Sequence, residues 1–496
     1  MLNSIDFSGR PFHFIGIGGI GMSAIAHILV HRKLPVSGSD LRLTHITERL
    51  RAEGAHIFLE QSAANLEFFR SRQPAAVGGV TGIAEETGAD AMPPKLLPQV
   101  VCSTAIHPEN PEYQAARALG CPILHRSDVL AGLMQQYQGI AVAGTHGKTT
   151  TSSLLGYLLL ETGMDPTIVV GGEVLAWDGN ARAGKSDYLV AEADESDGSL
   201  VKFNAQIGII TNIELDHPDH YSDLEEVVET FQTFASHCKT LVGSIDCPTV
   251  LDRIQPTITY SLDPQKGATY SVQNVLYDAD GTVAQVYERG EYLGDLKLKI
   301  LGTHNLSNAL AALAVGRFLG LDFAAIATAL STFEGARRRF ELRGEANQIR
   351  FIDDYAHHPS EIQVTLAAAR LQVSAAGAYR RLVAVFQPHR YSRMLTFLPE
   401  FSQSFVDADV VIISDIYSAG EANPGNMTGQ HLADRIAENH AGTVHYQPSL
   451  PQISEFLNHN LQPGDLVIFL GAGNLNQIIP DAIAYQREQA EKISHI

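Results

Sequence analysis

The 496-residue chain is predicted to be an α/β protein of three domains, for three reasons. The chain is longer than one hydrophobic core normally serves. Short apolar runs lead into glycine-rich loops at residues 16–21 and 144–150, and apolar residues at helical spacing follow each loop. Near the C-terminus, four further apolar runs end in polar residues, as the strands of a ligand-binding parallel sheet do. We place the domains at residues 1–138, 139–335 and 336–496.

Composition narrows the classes of function. The formal net charge of −20 disfavours a nucleic-acid-binding protein, which normally has a basic face. Every apolar run is shorter than the roughly 18 residues that a membrane-spanning helix needs, so no membrane association is expected. The first residues lack the pattern of a secretory signal, and the four cysteines show no metal-ligand spacing. These features predict a protein of the reducing cytoplasm.

The first domain is predicted to be Rossmann-like. Gly16, Gly18 and Gly21 satisfy G-x-G-x-x-G between a strand and a helix, and Asp40 follows at the interval of a ribose-binding acid. Backbone N–H groups of such a loop contact a pyrophosphate, so Gly19 is also assigned to the site. The loop suits NAD and any other ligand that carries a pyrophosphate.

A second strand of this domain, residues 100–106, ends in polar residues. The carboxyl ends of parallel strands share one edge of a sheet, so we expect the end of this strand near the glycine loop. The candidates for ligand contact there are Ser103, Thr104 and Ala105. Residues 75–98 are rich in Gly, Ala and Pro and predict an exposed insertion.

The central domain is predicted to bind a nucleoside triphosphate. Its glycine-rich loop lies between an apolar strand and a helix, which is the arrangement of a phosphate-binding loop, although Val142 stands where the usual pattern has its first glycine. In such a loop Lys148 can reach the outer phosphates, and Thr149 can reach a Mg²⁺ ion. The cofactor-binding residues predicted here are Gly144, Thr145, His146, Gly147, Lys148, Thr149 and Thr150.

Two further strands of the central domain end in candidate metal ligands. Glu192 follows the apolar run 187–191, at the position where folds with a phosphate loop place a Mg²⁺ ligand. His217 follows the run 207–211 and is a candidate ligand of a second metal. A solvated turn and a structural histidine are the alternative interpretations. The predicted metal set is Thr149, Glu192 and His217.

The central domain is expected to end in antiparallel hairpins and a helix. Period-two alternation, with turns at residues 280–281 and 289–290, predicts hairpins over residues 260–301. His304, Asn305 and Asn308 then lie within one turn at the start of an Ala-rich helix, where they either contact a nucleotide or cap the helix.

The third domain is predicted to be Rossmann-like, with no nucleotide loop of its own. Tyr355 and His357 follow its first strand, and Arg390 and Arg393 follow the strand at residues 382–386. Runs at residues 410–414 and 466–470 complete the four predicted strands. Since all four end in polar residues, they predict a site along one sheet edge.

Taken together, these motifs resemble the Mur ligase family of peptidoglycan synthesis. The strings that carry the resemblance cover nearly the whole chain: A-G-T-H-G-K-T-T-T, E-A-D-E-S-D, G-T-H-N-L-S-N, D-D-Y-A-H-H-P and F-Q-P-H-R-Y-S-R. The resemblance implies a first domain that holds a UDP-sugar, a second that holds ATP and Mg²⁺, and a third that closes over both and receives the amino acid.

The resemblance also implies roles for single residues. His304, Asn305 and Asn308 would contact the adenine side of ATP, and Arg339, in the arginine run 337–339, would serve the nucleotide or the phosphoryl transfer. The residues that would receive the amino acid and the carboxylate of the sugar are Tyr355, His357, Arg390 and Arg393. The residues implied to take part in catalysis are Lys148, Glu192, His217, Arg339, His357, Arg390 and Arg393.

The implied reaction is the ATP-dependent joining of L-alanine to UDP-N-acetylmuramate through an acyl phosphate, a step that serves cell shape and division. One alternative within the family is a ligase that adds a whole tripeptide to the same sugar nucleotide. Alternatives from other classes are an NAD-dependent oxidoreductase that uses the loop at residues 16–21, and a nucleotide sensor without turnover. A monomer and a homodimer are both compatible with the sequence.

Overall fold

The computed structural model describes residues 5–69, 97–374, 377–425 and 427–494, which form three β-sheets with helices packed on them. Each sheet is largely parallel, so the predicted three-domain α/β fold is confirmed. The insertion expected at residues 75–98 lies almost entirely outside the described part of the chain.

The first sheet carries the glycine loop at residues 16–21. Its elements are β1 (Phe12–Ile15), α1 (Ile20–His31), β2 (Val36–Ser39), α2 (His45–Glu53), β3 (His56–Phe58), β4 (Gln99–Cys102), α3 (Pro111–Leu119), β5 (Ile123–His125) and α4 (Arg126–Met134). All five strands are parallel, in the order β3-β2-β1-β4-β5. Because the connections turn in opposite directions from β1 and β4, the loop after β1 lies at the crevice where such sheets bind ligands.

The central sheet is the largest of the three. Its strands are β6 (Gln138–Ala143), β7 (Thr167–Val174), β8 (Gly179–Arg182), β9 (Tyr188–Glu192), β10 (Ile207–Ile210), β11 (Thr240–Ser244), β12 (Ile258–Ser261), β13 (Tyr270–Asp278), β14 (Gly281–Glu288) and β15 (Glu291–Leu298). They lie in the order β15-β14-β13-β12-β11-β10-β6-β9-β7-β8. The strands next to β6 are parallel to it and buried. β13 to β15 form the predicted antiparallel hairpins, and β13 pairs with β12, so the hairpins extend the sheet rather than merely decorating it.

The central domain contains five α-helices, two of which pack together beside the loop at residues 144–150. They are α5 (Lys148–Glu161), α6 (Leu224–Ser236), α7 (Pro248–Arg253), α8 (Thr303–Phe318) and α9 (Phe323–Thr332). α5 and α8 pack against each other with apolar residues around most of their circumference, so both are buried core helices. The loop between β6 and α5 is therefore fixed at both ends.

The third sheet has six strands, two more than the sequence predicted. Its elements are β16 (Glu341–Ala346), β17 (Ile349–Asp354), α10 (Pro359–Arg370), β18 (Arg381–Phe386), α11 (Tyr391–Thr396), α12 (Leu398–Phe401), β19 (Val410–Ile413), α13 (Gly429–Ala437), β20 (Thr443–Tyr446), α14 (Leu450–Asn460), β21 (Asp465–Leu470) and α15 (Ile479–Ser494). The order is β16-β17-β21-β18-β19-β20, and only β16 is antiparallel to its neighbour. The two strands that were not predicted are the edge strands β16 and β20.

Side chains join the domains to one another. In the first domain, Ile20 O and Ser23 Oγ accept hydrogen bonds from the Asn180 side chain on β8, at 2.5 and 3.0 Å. The third domain contacts the central one through a buried ion pair between Arg393 and Asp216.

Among the helices of the described residues, none is both long and apolar enough to cross a membrane.

Candidate active site

All three domains line one cleft of about 660 Å³. The first domain contributes Gly21, Thr104 and Arg126, and the loop between β6 and α5 and the start of α5 contribute Thr145, Gly147, Lys148 and Thr149. All seven residues that the sequence assigned to catalysis line this cleft: Lys148, Glu192, His217, Arg339, His357, Arg390 and Arg393. The cleft therefore brings together catalytic candidates that lie up to 245 residues apart in the chain, from Lys148 to Arg393.

The loop at residues 144–150, hereafter the phosphate loop, requires glycine at two positions. Gly144 has a φ of +138°, and a Cβ there would lie 1.8 Å from Thr211 Oγ1. Gly147 has a φ of +81° and precedes the first residue of α5. Two backbone N–H groups anchor the loop to Asn212: that of Thr145 to its carbonyl at 3.0 Å, and that of His146 to its side chain at 2.8 Å. The loop is thus held rigidly beside the N-terminus of α5, where backbone N–H groups favour an anion.

Lys148 lies in this loop and makes a buried ion pair. Its Nζ donates to Gly144 O at 2.8 Å and to Glu195 Oε1 at 2.8 Å. Burial would lower the pKa of Lys148, but the charges of Glu195, Asp194 and Glu192 raise it, so the amine is protonated. Burial raises the pKa of Glu195 to about 7 despite Lys148. The pair keeps a cation at the phosphate loop next to an acid that can take up a proton near neutral pH.

Thr149 and Glu192 form an oxygen-rich corner of the cleft. Thr149 Oγ1 donates to Glu192 Oε1 at 3.1 Å, and Gly171 N–H donates to Glu192 Oε2 at 2.7 Å. Arg339 reaches the same hydroxyl at 3.4 Å. A hydroxyl and a carboxylate in contact are the donor types that Mg²⁺ prefers, so this corner fits the predicted metal.

His217 lies in the cleft beside Asp216 in the loop that follows β10. Its φ is +56°, a left-handed conformation that is uncommon for a residue other than glycine. Burial lowers the pKa of His217, so the imidazole is neutral and one nitrogen can act as a metal ligand. Its Nε2 lies 3.6 Å from Asp216 Oδ2.

The third domain supplies two arginines, and both contact acids of the central domain. Arg393 is 1% exposed, and its Nε and Nη2 donate to Asp216 Oδ1 at 3.0 and 2.8 Å. Arg390 Nη1 lies 3.2 Å from Asp219 and 3.1 Å from Glu421. The sequence predicted both as receivers of a substrate carboxylate. The structure adds that Arg393 spans the interface between the domains.

Tyr355 and His357 lie on the loop between β17 and α10. The guanidinium carbons of Arg338 and Arg339 lie 5.0 and 5.2 Å from the centre of the Tyr355 ring, a cation–π geometry. His357 Nδ1 lies 3.0 Å from Tyr355 O and 3.2 Å from Glu361 Oε2. Burial lowers the pKa of His357 to about 3, so this ring is neutral.

The predicted sites of the first domain lie partly outside the cleft. Gly21 and Thr104 line it, whereas Gly16, Gly18, Gly19, Ser103 and Ala105 are not among its lining residues. Asp40 Oδ2 accepts a hydrogen bond from Gly18 N–H at 2.9 Å, so this carboxylate supports the glycine loop directly. A Cβ at Gly16 would lie 3.6 Å from Ile106 Cδ1, which places the segment after β4 beside the loop, as expected.

The first turn of α8 lies behind the phosphate loop. Asn308 Oδ1 accepts from Thr151 Oγ1 at 3.1 Å, and a Cβ at Gly147 would lie 2.5 Å from the same Oδ1. Asn305 donates to Leu301 O at 2.7 Å. Burial lowers the pKa of His304 to about 4. Of the three, Asn308 contacts the phosphate loop at Gly147, and its side-chain amide donates to Asn305 Oδ1 at 3.4 Å. None of the three is among the residues that line the cleft.

Sequence reasoning missed the acids that pair with the predicted cations. Two of these acids lie next to predicted site residues in the sequence, and this was the only signal for them. Glu195 is in the same acidic run as Glu192, and Asp216 precedes His217. Glu361 follows Pro359 in the first turn of α10 and gave no signal beyond helix capping. Arg126, which donates to Asp194 at 2.9 Å, gave none.

Models of protein families match almost the entire chain. Residues 11–138 match the Mur ligase family, catalytic domain; residues 142–316 match the Mur ligase middle domain; and residues 338–473 match the Mur ligase, glutamate ligase domain. The three matches follow the three sheets in order.

Curated relatives are similar along their full length. The chain is 65% identical to UDP-N-acetylmuramate–L-alanine ligase of Nostoc punctiforme, with 100% of each chain covered. It is 64% identical to the protein of the same name from a Nostoc species, with 97% of this chain and 98% of the relative covered.

Solved structures share the architecture. UDP-N-acetylmuramate-alanine ligase of Thermotoga maritima superposes with a TM-score of 0.75 at 27% identity, covering 98% of this chain and 99% of that one. A murein peptide ligase of Psychrobacter arcticus has a TM-score of 0.67 at 22% identity, covering 97% and 99%, and is similar in fold. With three family models matched in order and relatives of this identity over the whole chain, the chain belongs to the Mur ligase family.

Proposed function

We propose that this protein joins L-alanine to UDP-N-acetylmuramate at the expense of ATP. The observation that carries the proposal is the shared cleft, in which the phosphate loop with Lys148 faces Arg390 and Arg393 of the third domain. The full-length relatives that bear the name of this ligase support the choice of L-alanine over a tripeptide.

The proposed reaction has two steps. The sugar's carboxylate attacks the γ-phosphorus of ATP, ADP leaves, and an acyl phosphate forms. The free amine of L-alanine then attacks the acyl carbon, the tetrahedral intermediate collapses, and inorganic phosphate leaves with formation of the amide. Closure of three domains around one cleft would keep out water, which would otherwise hydrolyse the acyl phosphate.

The residues of the cleft suit a reaction between two anions. A triphosphate and a carboxylate repel each other, and the cations that could offset this repulsion are Lys148, Arg339 and Arg390. We assign Lys148 to the phosphates, Arg339 to the transferring phosphoryl group, and Arg390 with Arg393 to the substrate carboxylates. Tyr355 and His357 lie on the same side and would position the amino acid.

Thr149 and Glu192 would hold a first Mg²⁺ ion and His217 a second metal ion, and these ions would neutralise phosphate charge when bound. We expect Glu192→Gln to weaken Mg²⁺-dependent binding of ATP, since Glu192 contacts the loop hydroxyl. His217→Gln should reduce kcat more than it reduces ATP affinity, because His217 lies on a different strand-end loop. Calorimetric titration of ATP with and without Mg²⁺, beside turnover of each variant, tests the assignment. Identical, metal-independent effects of both changes would contradict it.

The first domain would bind the UDP-sugar at the glycine loop, with Gly16, Gly18, Gly19, Gly21 and Asp40 on one side. Ser103, Thr104 and Ala105 would contact it from the neighbouring strand end. The residues proposed to contact the adenine side of ATP, as the family resemblance implies, are His304, Asn305 and Asn308. We also propose that the domains meet near residues 138 and 335. The protein would act in the cytoplasm, as a monomer or a homodimer.

Release of phosphate from ATP tests the function. We expect release that requires both UDP-N-acetylmuramate and L-alanine, with the amide product identified by mass spectrometry. Release with a tripeptide but not with L-alanine would indicate the tripeptide-adding ligase. ATP binding without any release would indicate a nucleotide sensor, and tight binding of NADH would indicate the oxidoreductase.

A further inference from the structure

Glu361 lies in the first turn of α10, at the interface with the central domain. Its Oε2 accepts the backbone N–H groups of His357 and His358, at 3.0 and 3.3 Å, and so caps the helix. The other oxygen, Oε1, lies 3.3 Å from His146 Nδ1. One partly buried carboxylate therefore contacts a residue of the phosphate loop and a residue of the substrate side of the cleft.

His146 is the phosphate-loop end of this connection. Its ring lies between two carboxylates, with Nδ1 next to Glu361 and Nε2 at 3.4 Å from Glu214. Burial would lower the pKa of His146, but the adjacent carboxylates of Glu214 and Glu361 raise it to about 10. The ring is therefore a cation at neutral pH, held between one acid of the central domain and one of the third domain.

His357 is the cleft end of the connection. Its Nδ1 contacts Glu361 Oε2 and Tyr355 O, so the nitrogen left for a ligand is Nε2. Both contacts of Nδ1 are hydrogen-bond acceptors, so the proton of this neutral ring is on Nδ1. Nε2 can therefore present its lone pair to a substrate only in the orientation that Glu361 permits.

A neighbouring group of side chains that includes His146 does not suit a metal ion. His146, Glu214 and His358 have ligand atoms within 4.8 Å of one another. However, Ser360 N–H donates to His358 Nδ1 at 3.3 Å, which leaves the proton of the neutral ring on Nε2. Ser360 Oγ also donates to Glu214 at 2.8 Å. The contacts therefore describe an ion-paired joint between two domains.

We infer that Glu361 is a positioning residue that couples occupancy of the phosphate loop, through His146, to the orientation of His357 on the substrate side of the cleft. The inference rests on the proposed function and names the residue that links its two half-sites. When a nucleotide fixes the loop, His146 holds Glu361, and Glu361 holds His357 ready for the second substrate. Nucleotide and sugar nucleotide should therefore strengthen each other's binding.

The test uses Glu361→Gln, which keeps the helix cap but removes the charge that pairs with His146. We expect the non-hydrolysable analogue AMP-PNP with Mg²⁺ to tighten UDP-N-acetylmuramate binding to the wild-type protein by about fivefold or more. In Glu361→Gln this coupling should disappear and kcat should fall, while the affinity for AMP-PNP alone changes by less than about twofold. A merely structural role would lower both affinities together and leave their coupling intact.

Two further variants complete the test. Glu226→Gln is the control, because Glu226 accepts a backbone N–H in the first turn of α6 outside the cleft, and this change should leave the coupling unchanged. His146→Gln should remove the coupling from the loop side, and the double variant should be no worse than either single one. His146→Gln also decides the question if Glu361→Gln does not fold.

Full coupling in Glu361→Gln or His146→Gln would overturn the inference, as would a wild-type protein in which AMP-PNP leaves sugar-nucleotide affinity unchanged. These outcomes differ from failure of the proposed function, in which the wild-type protein releases no phosphate with both substrates present.

Discussion

Lys148 lines the cleft and is paired with the buried Glu195, so the effect of changing either residue depends on the other. We expect Lys148→Ala to lower the rate of phosphate release on the order of a thousandfold, because the lost charge faces the transferring phosphoryl group. The fold should survive, since Glu195 already has a pKa raised to about 7 by burial and can take up a proton. Turnover and thermal unfolding measure the two effects.

Lys202→Ala is the matched control for Lys148→Ala. Lys202 pairs with Asp128 at 2.7 Å, outside the phosphate loop. Turnover close to that of the wild type in a folded Lys148→Ala protein would remove this lysine from the mechanism.

Arg393 and Arg390 differ in burial, and this difference predicts different costs of removal. Arg393→Ala leaves Asp216 buried without its partner, which should reduce the free energy of unfolding by about 3–5 kcal/mol. Arg390 is 30% exposed in its side chain, so Arg390→Ala should cost about 1 kcal/mol or less. Urea unfolding measures both. Equal losses would show that Arg393 does not hold the interface between the domains.

Both arginine changes should also impair the use of L-alanine or the sugar nucleotide. The affinity of the central domain for ATP should survive, because neither arginine contacts the phosphate loop. A matching loss of ATP affinity would place these residues wrongly.

The sequence predicted the cations of the site better than their partners. Lys148 and Arg393 lie in short motifs, and local spacing is enough to find them. Their acids are distant: Glu195 is 47 residues from Lys148, and Asp216 is 177 residues from Arg393. Only the packing of two strands or two domains decides which acid faces which cation, and spacing along the chain does not contain that information.

At the scale of elements, the glycine loop after β1 provides a prediction about substrate choice. A Cβ at Gly18 would lie 2.8 Å from Asp40 Oδ2 and 3.0 Å from Thr47 Cγ2. We expect Gly18→Val to push the loop away from the pyrophosphate and to raise KM for the sugar nucleotide at least about tenfold, with little change in KM for ATP. Steady-state kinetics with each substrate varied in turn is the measurement.

A glycine without a role at the site supplies the comparison. Gly120 has a φ of +73° and ends α3, so Gly120→Asn should tolerate the conformation and leave both Michaelis constants unchanged.

Tight binding of NADH that competes with neither ATP nor UDP-N-acetylmuramate would instead support the oxidoreductase.

Strongly patterned elements were predictable, and edge strands were not. The start and end of α8 agree with the Ala-rich run, and both hairpin turns lie where Asp-Gly and Arg-Gly signals stand. β16 reads E-L-R-G-E-A and is largely half-exposed, so it lacks the apolar run that reveals an inner strand. β20 has only four residues and is also partly exposed. An edge strand buries one side only, and a few residues of that pattern do not stand out from a loop.

At the scale of the whole molecule, the joint at His146 predicts how stability depends on pH. The folded pKa of about 10 lies above the ordinary value near 6.5, so this contribution is complete below pH 6.5 and disappears as the pH rises to 10. Glu214 has a pKa lowered to about 2, mainly by its interaction with the His146 ring, and its contribution is lost as the pH falls below about 4. The joint is therefore strongest between these limits.

We expect the free energy of unfolding to fall between pH 7 and pH 10 more steeply in the wild-type protein than in His146→Gln, by at most about 1.4 kcal/mol per pH unit. Urea unfolding at several pH values measures the slope. Parallel slopes in the two proteins would contradict a protonated His146.

The buttress behind the phosphate loop has a consequence for synthesis of the chain. Asn308, which accepts a hydrogen bond from Thr151, lies 157 residues further along the sequence, and α5 packs against the helix that contains it. A ribosome releases the phosphate loop long before that helix, so the growing chain carries an incomplete nucleotide site throughout this interval. Binding of ATP would then report that the central domain is complete, and a fragment that ends before residue 303 should fail to retain the nucleotide.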